Sequence, residues 1–451
     1  MKRILGMLVS AVILLSGLAV HAAGKIDKAV KSTNINKSAI SVSVKDLKTG
    51  KQVYQLNANK PVNPASTQKL VTFASALDTL GTDYKFSTEL YKSTNNDLYF
   101  KLSGDPFLSS KDLKTLLNTA KFKNITEPKT VYIDDFVLDS EYWGEGWQWD
   151  DNLNTYMPKF GPYNLDRNIM KIIVKPTNSG APAEIYPEVF YPIGFVNLVS
   201  TGKYDRIKLS NNQTISPSLI QAEGTVNNYT VLEIPVQNIK MYFRLRLEDA
   251  FNDSKVFYYG KIYQKKLPDK NVYLVSKTEH SIDSAARDIL QYSNNMTAET
   301  VFKAAGGKFV NNTGSINSAI KMFDDFCSRN NINNDNVRIV DGSGVSKNNL
   351  MTANFMTDFL IAESKSENFE FFRNNMANPG IGTLENRMLY FGSNVKAKTG
   401  TLSDVSAIAG YIKTRRGNDY AFDIMINDSK SDSDKKKMAE ETILRTLYLE
   451  Y

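Results

Sequence analysis

The chain has 451 residues, 42% hydrophobic and 23% charged, with 11% aromatics, which excludes a disordered or fibrous protein and leaves room for two or three domains. Its formal charge is +7, and no Lys/Arg run exceeds Lys435–Lys437, so it carries no nucleic-acid footprint. Two histidines, His21 and His280, and one cysteine, Cys327, exclude a His/Cys zinc cluster and an intramolecular disulfide, and no motif suggests a metal or organic cofactor.

At the N-terminus, Lys2 and Arg3 precede an apolar run of 17 residues, Ile4–Val20, followed by the small-x-small pattern Val20-His21-Ala22. The run is short against the ~20 residues of a bilayer span, so residues 1–22 read as a signal peptide for export to the periplasm or cell-wall space. No second apolar stretch is long enough to span, so no membrane span is expected after cleavage.

From Ala39 to Leu47, alternating Ile40, Val42 and Val44 predict a strand. Lys48-Thr49-Gly50 turns it and Gln52–Leu56 returns, a β-hairpin. Thr67–Leu80 repeats Leu70, Val71, Ala74, Leu77 and Leu80 at helical spacing. From Phe86 the texture becomes β-like, in short runs at 97–102, 131–134, 169–174, 229–236 and 240–247, and this stretch holds all the tryptophans, Trp143, Trp147 and Trp149. Helical spacing returns over Ile282–Gln291 and Thr297–Ala305, with Ser293-Asn294-Asn295 between them. Strands follow at Val395–Thr399, Val405–Ile412 and Tyr420–Ile426, and a helix at Lys435–Leu449. This order implies an α+β fold: a split domain over 23–85 and 270–451, with an antiparallel sheet flanked by helices, interrupted by a β-rich insertion at 86–269.

A serine nucleophile needs a base, and with His280 the sole histidine after cleavage, a buried lysine is the other option. Ser66-Thr67-Gln68-Lys69 places hydroxyl and amine on one helix face, with Ser66 at the helix start, where backbone N–H groups are unsatisfied. S-x-x-K also occurs at Ser200, Ser318, Ser393 and Ser433, and taken alone Ser66 reads first as the cap of an ordinary helix. Lys398-Thr399-Gly400-Thr401 ends a strand, where an ammonium and hydroxyls can meet a carboxylate and the glycine admits a close backbone approach. Lys48-Thr49-Gly50 is the hairpin turn. Ser293-x-Asn295 lies between helices, a better setting than Ser346-x-Asn348.

S-x-x-K, S-x-N and K-T-G in this order are the signature of penicillin-recognising enzymes, here with Asn294 in place of the middle Asp. The chain resembles the low-molecular-mass class C penicillin-binding proteins, D-alanyl-D-alanine carboxypeptidase/endopeptidases of the penicillin-binding protein 4 type. The resemblance spans the mature chain. It includes Ser103-Gly104-Asp105-Pro106, Gly146–Asp151, Asn164–Asn168, Asp341-Gly342-Ser343-Gly344, Gly382-Thr383-Leu384 and the gap of 227 residues between Ser66 and Ser293.

It implies a penicillin-binding/β-lactamase-like transpeptidase fold with a five-stranded sheet, and an insertion of two nested subdomains. It implies acylation of Ser66 by the penultimate D-Ala of peptidoglycan stem peptides, with Lys69 as base and Ser293 as proton relay. Asn295, Lys398, Thr399 and Thr401 would bind substrate, and the N–H groups of Ser66 and Thr401 would form the oxyanion hole. Asp151 and Tyr156 match positions that reach for the substrate's diamino-acid side chain; Asp151 reads also as a turn residue. β-Lactams would be covalent inhibitors. A serine β-lactamase would need a carboxylate for deacylation in an E-x-x-x-N-like setting, and Glu385-Asn386 lacks that spacing. A non-catalytic wall-binding protein would not need the paired serine and lysine. Trp147 and Trp149 read as packing or as a sugar platform, Cys327 as buried, and His280 as a cap or surface residue.

Overall fold

In the computed structural model, which describes residues 24–211 and 219–451, the chain forms two compact units. One comprises 24–82, 283–294 and 316–451, the other 83–282 and 295–315. The expected signal peptide lies outside the described residues. The chain re-enters the first unit at 283, later than the residue patterns suggested, and leaves it again for 295–315.

The first unit begins with a helix, α1, over 24–32, then the hairpin β1 (Ile40–Asp46) and β2 (Gln52–Leu56). After Asn63-Pro64 a short turn, Ala65–Thr67, leads into α2 (Gln68–Leu80), which is buried on nearly every side.

The insertion opens with β3 (Lys85–Ser93), β4 (Leu98–Lys101), α3 (Ser110–Phe122) and β5 (Val131–Asp134). It continues with β6 (Ile169–Lys175), β7 (Glu184–Pro187), β8 (Gly194–Thr201), β9 (Arg206–Asn211), β10 (Leu219–Val226) and β11 (Thr230–Pro235). It closes with α4 (Ile239–Ser254), β12 (Ile262–Gln264) and β13 (Val272–Ser281). Its strands make a five-stranded sheet in the order β12-β5-β4-β3-β13 and two three-stranded sheets, β11-β6-β7 and β8-β10-β9. The β reading of 240–247 is overturned, because this stretch lies in α4. Met241, Phe243, Leu245 and Leu247 alternate as in a strand. However, the Asn238 side chain caps Met241 N, and Ile239, Tyr242, Phe243, Arg246, Leu247 and Ala250 are buried at helical spacing. α3 also escaped the periodicity reading, although Ser109 and Asp112 form a capping box at its start.

Beyond β13 come α5 (Ile282–Leu290) and then α6 (Asn295–Val310), which belongs with the insertion. The first unit resumes with α7 (Ile316–Arg329), α8 (Ala353–Glu363) and α9 (Phe369–Asn374), then β14 (Val395–Thr401), β15 (Val405–Lys413), β16 (Asp419–Asn427) and α10 (Ser433–Glu450). Its antiparallel sheet runs β14-β15-β16-β1-β2, so the hairpin at the start of the chain is completed by strands from its end. Strand alternation sends Val42, Val44, Phe422, Ile424 and Ile426 to one face, against Ile443, Leu444 and Leu447 of α10 and Ile26 and Val30 of α1. The opposite face sends Met425 and Ala407 against Ala353 of α8. The protein is α+β, as its patterns predict.

One buried carboxyl makes this unit pH-sensitive. Glu363, at the end of α8, is 2% exposed, and burial pushes its pKa up to about 8, with the nearby Asp78 charge acting in the same direction. The folded chain therefore holds a proton that the unfolded chain, titrating near 4.5, has released. Stability is fully present below pH 4.5 and declines as pH rises through 8, by a few kcal/mol at most. Thermal melts at pH 5 and pH 9 should show a smaller decline in Glu363→Gln than in wild type; equal declines would place the titration elsewhere.

Candidate active site

Ser66 sits in the turn that starts α2, half-buried between the fully buried Ala65 and Thr67. The turn is pinned from both sides. Asn63 Oδ1 accepts from Ala65 N at 2.8 Å, and Asn63 Nδ2 donates to the carbonyls of Ser346 (3.0 Å) and Asn349 (3.2 Å). Thr67 Oγ1 donates to Pro64 O at 2.7 Å. One helical turn on, Lys69 is completely buried, and its Nζ donates to Ser66 Oγ at 3.0 Å and to Ser343 O at 2.6 Å.

The Ser343 carbonyl comes from Asp341-Gly342-Ser343-Gly344, whose turn character the residues suggest but whose link to Lys69 they do not. The Asp341 carboxylate gathers this loop, accepting from Gly344 N (2.8 Å), Ser346 N (2.7 Å) and Asn349 Nδ2 (2.7 Å). Thr72 of α2 donates to Gly342 O at 2.6 Å, and Gln68 Nε2 donates to Asp341 O. The loop is thus laced to the helix that carries the serine. Gly344 has φ +78°, and a Cβ there would collide with Ala65 O. Ser346, the rival for the S-x-N serine, is buried in this loop and accepts from Asn348 N.

A second serine–lysine contact joins β14 to the turn that follows α5. Lys398 is also fully buried, and its Nζ donates to Ser293 Oγ at 2.8 Å and Thr399 O at 2.6 Å. Burial first, and the Lys69 charge second, hold its pKa well below the ordinary lysine range. Thr399 Oγ1 donates to Thr383 Oγ1 at 2.8 Å, which ties in the Gly382-Thr383-Leu384 segment. β14 is an edge strand, bridged on its outer side at Ala397, whose N–H donates to Ala377 O. The two-residue repeat of a strand therefore turns the N–H groups of Thr399 and Thr401 to that same outer side, away from β15. A Cβ on Gly400 would lie 2.8 Å from Ser66 N and 3.0 Å from Pro64 O. The glycine thus serves first to bring this strand against the serine's own turn, rather than only to admit a substrate backbone.

In the insertion unit, Asn295 opens α6, and its Nδ2 donates to Tyr156 O at 2.8 Å. Tyr156 thus contributes its carbonyl there, while its ring is 80% exposed. Asp151 closes a short turn, its carbonyl accepting from Asn154 N at 2.9 Å. Trp147 is buried edge-on against Trp143 and Phe160, so it is packing, whereas Trp149 is exposed. His280 is no cap: its Nδ1 lies 2.6 Å from the buried Asp105 carboxylate, a hydrogen bond that raises its pKa. Cys327 is buried in α7, which pushes its thiol up to about 12.

A sequence profile of the D-Ala-D-Ala carboxypeptidase 3 (S13) family matches residues 22–447. A D-alanyl-D-alanine carboxypeptidase of an Actinomadura species is 26% identical over 437 residues, covering 89% of this chain and 80% of that protein. The crystal structure of penicillin binding protein 4 from Haemophilus influenzae shares the fold with a TM-score of 0.80 at 23% identity, covering 92% of this chain and all of that one. A penicillin G-acylated predatory endopeptidase of Bdellovibrio bacteriovorus aligns with a TM-score of 0.52 at 16% identity, over 90% of this chain and 91% of that one.

Both glycines beside the serine turn test the arrangement. Gly344→Ala must displace either the Ser343 carbonyl or the serine turn, and Gly400→Ala must push β14 away from Ser66. Each is expected to slow covalent labelling of the protein by a fluorescent β-lactam by roughly 10- to 100-fold, because displacements near 1 Å carry costs of that order. Labelling at wild-type rates in both would show that these contacts do not set the serine's reactivity.

Proposed function

The chain belongs to the D-Ala-D-Ala carboxypeptidase 3 (S13) family of peptidases, and from that premise we propose that it is an exported serine D,D-peptidase acylated on Ser66 by peptidoglycan stem peptides. The observation that carries the reading is the doubled serine–lysine contact, Lys69 on Ser66 and Lys398 on Ser293. In this reading Lys69 removes the Ser66 proton as Oγ attacks the carbonyl of the penultimate D-Ala. The oxyanion is held by the N–H groups of Ser66 and Thr401. The proton passes through Ser293 to the leaving amine, the C–N bond breaks, and the amine departs as free D-Ala or, in a cross-link, as the neighbouring stem. Water then hydrolyses the Ser66 ester and restores the hydroxyl.

Lys398, with Thr399 and Thr401, receives the substrate's terminal carboxylate. That anion reverses the electrostatics of the empty site, because an opposite charge favours the Lys398 cation that burial alone disfavours. A charged Lys398 in turn opposes a proton on Lys69. In this reading Lys69 acts as the neutral amine that takes the Ser66 proton. Asn295 hydrogen-bonds the substrate's peptide group, and Asp151 with Tyr156 meets the ammonium end of the diamino-acid side chain. A β-lactam would enter by the same acylation and stay, since Glu385-Asn386 lacks the spacing of a β-lactamase's water-activating carboxylate. Among the described residues no helix is long and apolar enough to cross a membrane.

Intact-mass measurement after brief incubation with benzylpenicillin tests the reading. Wild type should gain the mass of one drug molecule and Ser66→Ala none, with turnover of a D-Ala-D-Ala stem peptide by that variant reduced about 10³-fold or more. An unmodified wild type that leaves the drug intact would move the wall-binding role ahead. Rapid drug turnover without an adduct would point to a β-lactamase.

A further inference from the structure

Two segments of the insertion are built with unusual care and take no part in the chemistry above, Gly104–Phe107 and Asn164–Asn168. Asp166, Arg167 and Asn168 have φ of 50°, 61° and 54°. Three successive non-glycine residues in the left-handed region crowd each Cβ against a carbonyl, and such a turn persists only where its surroundings over-determine it.

The surroundings here converge on the start of α6. Asn168 is fully buried. Its Oδ1 accepts from Leu165 N at 3.0 Å, and its Nδ2 donates to Lys159 O (2.7 Å) and Asn164 Oδ1 (2.9 Å) and meets Met296 Sδ at 3.5 Å. Asn164 passes the network on, donating to Thr300 Oγ1 at 3.0 Å. The Arg167 guanidinium reaches Thr297 Oγ1 (3.4 Å) and Pro106 O (3.3 Å) and lies 5.0 Å over the Phe107 ring. Asp166 anchors the turn from behind, accepting from Ser110 N at 2.9 Å and Tyr242 OH at 3.3 Å. Met296, Thr297 and Thr300 are the first two turns of α6, whose first residue is Asn295. Lys159, gripped by the same Asn168 amide, lies three residues beyond Tyr156, whose carbonyl holds the Asn295 side chain.

We propose that this left-handed turn, with Asn164, is a positioning device for Asn295. It fixes the Asn295 backbone through α6, and it fixes the acceptor of the Asn295 carboxamide through the 156–159 segment. With one Nδ2 hydrogen spent on Tyr156 O, the orientation of the carboxamide is set. A carboxamide held in one orientation presents a defined donor and acceptor pattern to a substrate peptide group. Asn164, Arg167 and Asn168 act through Asn295. The inference rests on the serine D,D-peptidase reading and gives two insertion motifs a task within it.

The test is stopped-flow acylation by a fluorescent penicillin, which yields both the rate constant at saturation and the fraction of protein labelled. Asn168→Gly keeps the left-handed backbone and deletes the network; Thr300→Val removes only the Asn164 acceptor and stands in if the first variant fails to fold. Positioning predicts complete labelling with the rate constant lowered roughly 10- to 100-fold in Asn168→Gly and in the same direction, less steeply, in Thr300→Val. A merely structural role predicts a smaller labelled fraction with an unchanged rate constant, and that result, or wild-type behaviour in both, would overturn the proposal. An unlabelled wild type would instead remove the serine reading, and this inference with it.

Discussion

A lysine ammonium is costly to bury unless its donors find acceptors, and this chain buries two whose charges repel. The first unit is arranged around that cost. Lys69 is met by a serine hydroxyl and a loop carbonyl, and Lys398 by another serine hydroxyl and its own strand's carbonyl. In the proposed mechanism a neutral Lys69 acts as base and a charged Lys398 receives the carboxylate, so an arriving anion favours the Lys398 cation.

The backbone has been shaped to make those contacts possible. The outer edge of β14 supplies outward N–H groups, Gly400 lets that edge close on the serine turn, and Gly344 lets the 341–344 loop close on it from another side. Asn63 and Asp341, both buried, tie these pieces together through side-chain to backbone hydrogen bonds. In the insertion the same device recurs, with Asn164 and Asn168 binding one strained turn to the helix that begins at Asn295.

Much of this was legible because it follows from local chemistry. The hairpin, α2, the three C-terminal strands and the closing helix each display their period, and Ser66-x-x-Lys69 and Lys398-Thr399-Gly400 name their residues outright. α7 carries an equally plain period in Ile316, Ala319, Met322, Phe323 and Phe326, whereas α8 is apolar around most of its circumference and shows no stripe. α4 imitates a strand because polar and apolar residues alternate through its first two turns, while its cap lies just outside that window. The carbonyl partner of Lys69 could not be read, since Ser343 is 274 residues away and contributes a group that any residue type possesses. His280 likewise finds Asp105 across 175 residues. The left-handed turn at 166–168 has no glycine to announce it.

The most direct test of the account is an NMR titration of the lysine side chains, with carbon label at Cε and the Lys398 resonance assigned by its loss in Lys398→Gln. The account predicts that this resonance titrates well below the ordinary lysine pKa of 10.5 in the free protein and moves back up when a D-Ala-D-Ala peptide carboxylate is bound to Ser66→Ala. A Lys398 that titrates with the surface lysines, or that ignores the bound carboxylate, would contradict it.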